Sequence, residues 1–184
     1  MSVKHQYPPE IAKEASAALK GYPELHDVFI EFKWGAIASK SFMLAQPVPS
    51  SLLLPRAKRR YQIIMKQRFF VNNPNMKDGR VPHEVIVGWL AHELGHVLDY
   101  KDRSSWNLMW FGVKYYFFSN FLRKAEITAD RNAVERGYIH EIVESKEFGR
   151  NPLYFPSDYI KKLNKFYPSV ATVRKWVLDL APKA

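Results

Sequence analysis

Ala91-His92-Glu93-Leu94-Gly95-His96-Val97-Leu98 is an H-E-x-x-H pattern set inside an apolar stretch. On a helix of about 3.6 residues per turn, histidines four apart share a face, so both imidazoles can reach one metal ion. Glu93 stands one residue on, where a carboxylate can take a proton from a metal-bound water. From Val85 to Tyr100 the polar positions are almost only His92, Glu93, His96 and Asp99, while Val85, Ile86, Val87, Trp89, Leu90, Leu94, Val97 and Leu98 are apolar. Such a helix must be largely buried, and adjacent polar groups on it are costly unless paired. A metal ion resolves that cost. The bland alternative is a pair of core histidines bonded to backbone beside a paired glutamate.

A catalytic zinc takes three protein ligands and keeps one position open for water, so one ligand is missing from the motif. No histidine lies between Val97 and Ile139, which excludes a third histidine shortly after the motif. Five glutamates follow, at 126, 135, 141, 144 and 147, and only Glu126 has an aspartate four residues later, Asp130. Lys124 to Val134 reads as a helix without Gly or Pro that carries Glu126 and Asp130 on one face. Glu126 can close the coordination sphere, and Asp130 can accept the free ring N–H of a ligand histidine and fix its tautomer. The competing interpretation is a solvated acidic face.

HELGH followed by Ala125-Glu126-Ile127-Thr128-Ala129-Asp130-Arg131-Asn132-Ala133-Val134-Glu135-Arg136-Gly137-Tyr138 resembles the gluzincin metallopeptidases, and among them the HtpX-type and CAAX prenyl endopeptidase-type family. The similarity covers roughly residues 80–140. It implies a zincin-like α+β fold with zinc held by His92, His96 and Glu126, Glu93 as the base and Asp130 behind a ligand histidine. The chain departs from that family in the short interval between its motifs and in lacking the membrane-spanning helices of the integral members. Stand-alone minimal gluzincins and the ImmA-type regulators, which cleave repressors, share the same short signature. SprT-like proteases also combine H-E-x-x-H with DNA binding, but their third ligand is a nearby histidine that is absent here.

The 184 residues, 47% hydrophobic and 15% aromatic, suit one domain, 1–184, with a substantial core. Met1 to Glu10 has no apolar run after a basic start and does not read as a secretory signal. The absence of cysteine rules out disulfides and Cys-ligated metal, and the cytoplasm is the default compartment.

The pattern predicts a helix opening at Pro8-Pro9-Glu10 and ending near Gly21, with Ile11, Ala15, Ala18 and Leu19 on its apolar face. A small antiparallel or mixed sheet follows. Val28, Ile30, Phe32 and Trp34 alternate with Glu31 and Lys33, and Ala36 to Ala45 forms a weaker second strand. In a third strand, Tyr61, Ile63, Met65, Phe69 and Val71 make one face and Gln62, Lys66, Arg68 and Asn72 the other. By analogy with zincins, the end of this strand, Phe69–Asn73, is the expected edge for an extended peptide. The motif helix then leads into a helical C-terminal half, with helices over roughly 105–122, 123–137, 140–148, 158–166 and 169–180.

Residues 105–122 place eight aromatics in eighteen positions between the two metal motifs. Lys114 at the centre, with Asn107 and Asn120, argues against a membrane span. The segment is either a core helix roofing the zinc site or a peripheral insertion into a bilayer surface, where Trp and Tyr prefer to sit. The net charge of +10 is uneven: residues 1–82 hold 13 basic against 6 acidic side chains, the remainder 15 against 12. Arg56 to Arg60, with Lys66 and Arg68, concentrates positive charge on the strand region. That field attracts anionic lipid, acidic peptide or, as a weaker candidate, nucleic acid; a solvated basic face is the plain alternative.

The expected activity is zinc-assisted hydrolysis of a protein or peptide substrate. Glu93 takes the proton from water and returns it to the leaving amine. An oxyanion partner is also needed, from His, Tyr or Arg beyond the third ligand. His140 is the only downstream histidine and the first candidate, with Tyr138 and Arg131 as competitors. Two alternatives stand beside this: a basic module binding nucleic acid or membrane around a vestigial or structural zinc, and a regulatory protease that cleaves a single partner.

Overall fold

The computed structural model describes residues 5–37, 41–70, 76 and 79–180. After a 3-10 turn at Pro9–Ile11, helix α1 (Ala12–Lys20) buries Ala15, Ala18 and Leu19 beside Ile11, as the spacing predicts. Three strands form a mixed sheet in the order β1-β3-β2: β1 (Phe29–Trp34), β2 (Met43–Pro47) and β3 (Arg60–Met65). The central β3 runs parallel to β1, with Ile30 opposite Tyr61, and antiparallel to β2, with Ala45 opposite Ile63. Its Tyr61, Gln62, Ile63 and Met65 are all buried, as a strand covered on both faces must be. The outer edge of β1 is partly closed by Gln6, whose N–H donates to the Ile30 carbonyl (3.2 Å) and whose carbonyl accepts from the Phe32 N–H (2.7 Å). The outer edge of β2 faces the helical half.

A single helical turn, α2 (Gln67–Phe70), leads toward the long central helix α3 (His83–Lys101). Helices α4 (Ser105–Phe117), α5 (Ser119–Glu135), α6 (Ile139–Gly149), α7 (Ser157–Phe166) and α8 (Val170–Leu180) complete the chain. Apolar nearly all round, α3 is buried nearly all round and packs on α1, α5, α6 and β2. Two glycines bring its neighbours close. A Cβ on Gly88 would collide with the Glu141 carbonyl of α6, and one on Gly95 would sit 2.5 Å from the Ala129 carbonyl of α5. The Asn132 amide of α5 donates to the Gly95 carbonyl (3.0 Å) and the Tyr22 hydroxyl to the Ala91 carbonyl (2.6 Å), which fixes the middle of α3 from two sides.

The α+β class and helical C-terminal half agree with the expectation; several boundaries do not. The third strand stops at Met65 instead of running to Val71. The Lys66 N–H donates to the Phe42 carbonyl (3.0 Å), and Phe69 and Phe70 then turn into an aromatic cluster with Phe42, Trp89 and Phe155. Phe69 and Phe70 are therefore no edge for a peptide, and residues 71–73 of that expected edge lie outside the described residues, as do 38–40 of the weaker strand. That strand begins only at Met43. The expected 105–122 helix breaks at Phe118, whose backbone is extended (φ −118°, ψ 103°). In the basic cluster Arg59 is buried, its guanidinium donating to the Arg103 carbonyl (2.7 Å) and the Ser105 hydroxyl (3.1 Å), while Arg56, Lys58 and Arg60 are exposed. Arg68's side chain lies outside the described part. Among the described residues, no helix is long and apolar enough to cross a membrane.

Candidate metal centre

The close approach of α5 to α3 at Gly95 brings Glu126 against the two motif histidines. Ligand atoms of His92, His96 and Glu126 lie within 4.8 Å of one another, and all three residues are buried. Glu126 Oε2 is 3.0 Å from His92 Nε2 and 3.6 Å from His96 Nε2, yet it has no aligned hydrogen-bond donor. Ligands about 2.0–2.1 Å from a tetrahedral ion stand about 3.3 Å apart, so these separations suit a small divalent cation. A buried carboxylate oxygen left without a donor beside two imidazole nitrogens is what a metal ion would satisfy.

Behind the ligands, the His92 Nδ1–H donates to Asp130 Oδ1 (2.9 Å), leaving Nε2 toward Glu126. Asp130 in turn accepts from the buried Lys146 ammonium on α6 (2.5 Å). Burial works to lower the His92 pKa, but Asp130 and Glu126 outweigh it and raise it to about 10. For Glu126, burial works upward, and His96 and His92 overcome it to hold the carboxyl well below the usual range. Asp130 is held low in the same way by Lys146 and His92.

Glu93 points to the other side of α3's polar strip. Its Oε2 accepts the backbone N–H of Ala45 on the β2 edge (2.6 Å), and burial, partly offset by His96 and His92, raises its pKa. The Tyr115 hydroxyl of α4 hydrogen-bonds Glu126 Oε1, and the Tyr167 ring lies 5.9 Å from that of His92. Burial first, and then the Glu126 charge, push both tyrosines well above their ordinary pKa, so both keep their protons. A cavity of about 490 Å³ opens onto these groups, bounded by the β2 edge and by Leu108, Phe111, Gly112 and Tyr116 of α4. A smaller one, about 70 Å³, lies on the far side of His92 and Glu93 against Lys146 and Tyr159.

His92, Glu93, His96, Glu126 and Asp130 thus converge. The oxyanion candidates do not. His140 is exposed on α6 and lines neither cavity. The Tyr138 hydroxyl accepts from the Gly21 N–H (2.8 Å) and donates to the Ala17 and Ala18 carbonyls, holding the end of α1. Arg131 is exposed and stacks over Trp176. Tyr115, Tyr167, Lys146 and the Ala45 N–H were not singled out from sequence, and none belongs to a motif; only the aromatic richness of 105–122 hinted at Tyr115. Comparisons with protein-family models, curated proteins and solved structures found no match, so the nature of this centre rests on its own geometry.

Proposed function

We propose that the protein is a zinc-dependent metallopeptidase of gluzincin type acting on extended protein or peptide chains. The observation that carries this is the convergence of a His-His-Glu ligand set, a buried proton acceptor and the β2 strand edge on one cavity. Zinc held by His92, His96 and Glu126 supplies Lewis acidity toward a water and toward the scissile carbonyl. Glu93, its basicity raised by burial, accepts the proton of the attacking water and passes it to the leaving amine. With Oε2 fixed by Ala45, Oε1 is the oxygen that receives that proton. His140 gives way to Tyr167 as the oxyanion donor, because its neutral hydroxyl borders the cavity where the carbonyl oxygen gains charge, while the Tyr115 hydroxyl is committed to Glu126. The edge of β2 takes the role first expected of Phe69–Asn73: with the Ala45 N–H held by Glu93 and no N–H at Pro47, its outward carbonyls are the groups that can hold a substrate chain extended beside Glu93. The apolar wall of α4 suits a bulky apolar side chain of that chain.

The test is metal content together with cleavage of a random peptide library, for wild type, Glu93→Gln and Glu126→Ala. Cleavage by the zinc-loaded wild type, absent in Glu93→Gln at equal zinc content, supports the assignment. Full activity in Glu93→Gln, or stoichiometric zinc in Glu126→Ala, overturns it. Glu93-dependent cleavage of one cellular protein with no library peptide cut would narrow the substrate to a single partner.

A further inference from the structure

Helix α4 carries two apolar stripes, and only one is used internally. Leu108, Phe111 and Tyr115, at positions that share a face, turn toward α3, α5 and the cavity. Trp106, Trp110, Val113 and Phe117 form the opposite stripe, and Trp106, Trp110 and Phe117 are 80%, 58% and 72% exposed. A helix apolar on both sides is normally covered on both sides. The patch extends beyond α4. The Ser105 hydroxyl donates to the Leu52 carbonyl (2.6 Å), which brings Leu53, 93% exposed, beside the start of the helix.

Charge identifies the occupant. The Leu53 corner and helix α4, residues 53–58 and 105–117, carry three cations, Arg56, Lys58 and Lys114, and no acidic residue. Lys114 Nζ lies 5.8 Å from the Trp110 ring centroid, at the border of the stripe. A second copy of the chain would set these cations against themselves in any two-fold contact. Tryptophans amid cations, with apolar side chains pointing outward from a short helix, match the interface of an anionic bilayer.

We infer that the outer face of α4, with the Leu53 corner, docks on an anionic lipid surface, burying Trp106, Trp110 and Phe117 at headgroup depth while the surrounding cations meet lipid charge. Gly112 and Tyr116 line the cavity from this same helix, and Tyr116 is 83% exposed, so the cavity mouth adjoins the docking face. If the peptidase assignment holds, the substrate class is polypeptide lying at the bilayer surface, with a bulky apolar side chain entering beside Tyr115. The docking itself is measured without any substrate, so its failure and that of the peptidase assignment are separable.

The experiment is co-sedimentation of the full chain, with tryptophan emission, on phosphatidylcholine vesicles with and without phosphatidylglycerol. Wild type should sediment with the anionic vesicles and shift its emission to the blue; Trp106→Ser/Trp110→Ser/Phe117→Ser should do neither. Each of Arg56→Gln, Lys58→Gln and Lys114→Gln should weaken binding by about fivefold. Because Trp106, Trp110 and Phe117 are exposed, circular dichroism of the triple variant should be unchanged, and quenching of wild-type emission by brominated lipid reads the same insertion without a variant. No sedimentation overturns the inference. So do sedimentation undiminished in the triple-serine variant, equal binding to neutral vesicles, and protection of Trp106 and Trp110 in a stable complex with a protein partner that excludes vesicles.

Discussion

Glu93 and Glu126 approach the same ligand cluster from different helices, and substitution should separate their roles. Glu93→Gln should keep about one zinc per chain and lose turnover by about 10²–10⁴-fold, read by elemental analysis beside peptide cleavage. Lys146 acts further back: it neutralises Asp130, which orients His92. Lys146→Met should weaken zinc binding by about 10–100-fold, measured by competition with a chromophoric chelator, because it frees Asp130 to pull the imidazole out of place. The metal-free chain should also depend on pH. The His92 pKa is raised from 6.5 to about 10 on folding, so its stabilisation is complete below pH 6.5 and is lost as pH rises through about 10. Thermal melts of chelator-treated protein should fall across that window and those of zinc-loaded protein should not, since the metal takes the proton's place at Nε2.

Helix α3 holds the site only because α5 can reach it at Gly95. Gly95→Ala would set a methyl 2.5 Å from the Ala129 carbonyl, and it should destabilise the chain by about 1–3 kcal/mol and weaken zinc binding by moving Glu126. Gly112→Ala is the matching control: nothing lies within 4 Å of the added carbon, so helix propensity alone should stabilise by about 0.5–1 kcal/mol. Denaturant unfolding of both variants checks the contrast. The same elements mark where sequence reading succeeds. The motif helix, the Glu126 and Asp130 face, α1 and the core of β1 and β3 were legible because each rests on local spacing. The break at Phe118 was not, since neither Gly nor Pro marks it and the chain turns there to pack Phe111 on Phe121. Nor was the end of β3, because Phe69 prolongs the alternation in sequence while its ring stacks on Phe42 at 3.9 Å in space. Lys146 and Tyr167 reach the centre through tertiary packing alone, and Ala45 contributes a backbone N–H that no side-chain pattern announces.

For the molecule as a whole, the centre ties α3 to α5, and through Asp130 and Lys146 to α6, so ion binding should stabilise the entire domain. Zinc at about a hundred times its dissociation constant adds about 2.7 kcal/mol, which for a chain of this length raises Tm by about 5–10 °C. Calorimetry with and without chelator should show that difference in wild type and its loss in Glu126→Ala. The buried pair of Lys146 and Asp130 has a further consequence, concerning valence. That pair cancels its own charge, which leaves Glu126 as a charged carboxylate of the cluster, beside a Glu93 whose carboxyl burial pushes toward its neutral form. Buried charge is tolerated where it is matched, so a doubly charged ion is matched in full only when Glu93 is ionised. The interior of this protein thus exchanges protons for ion charge, and the number of protons released on loading should report the valence of the ion it takes.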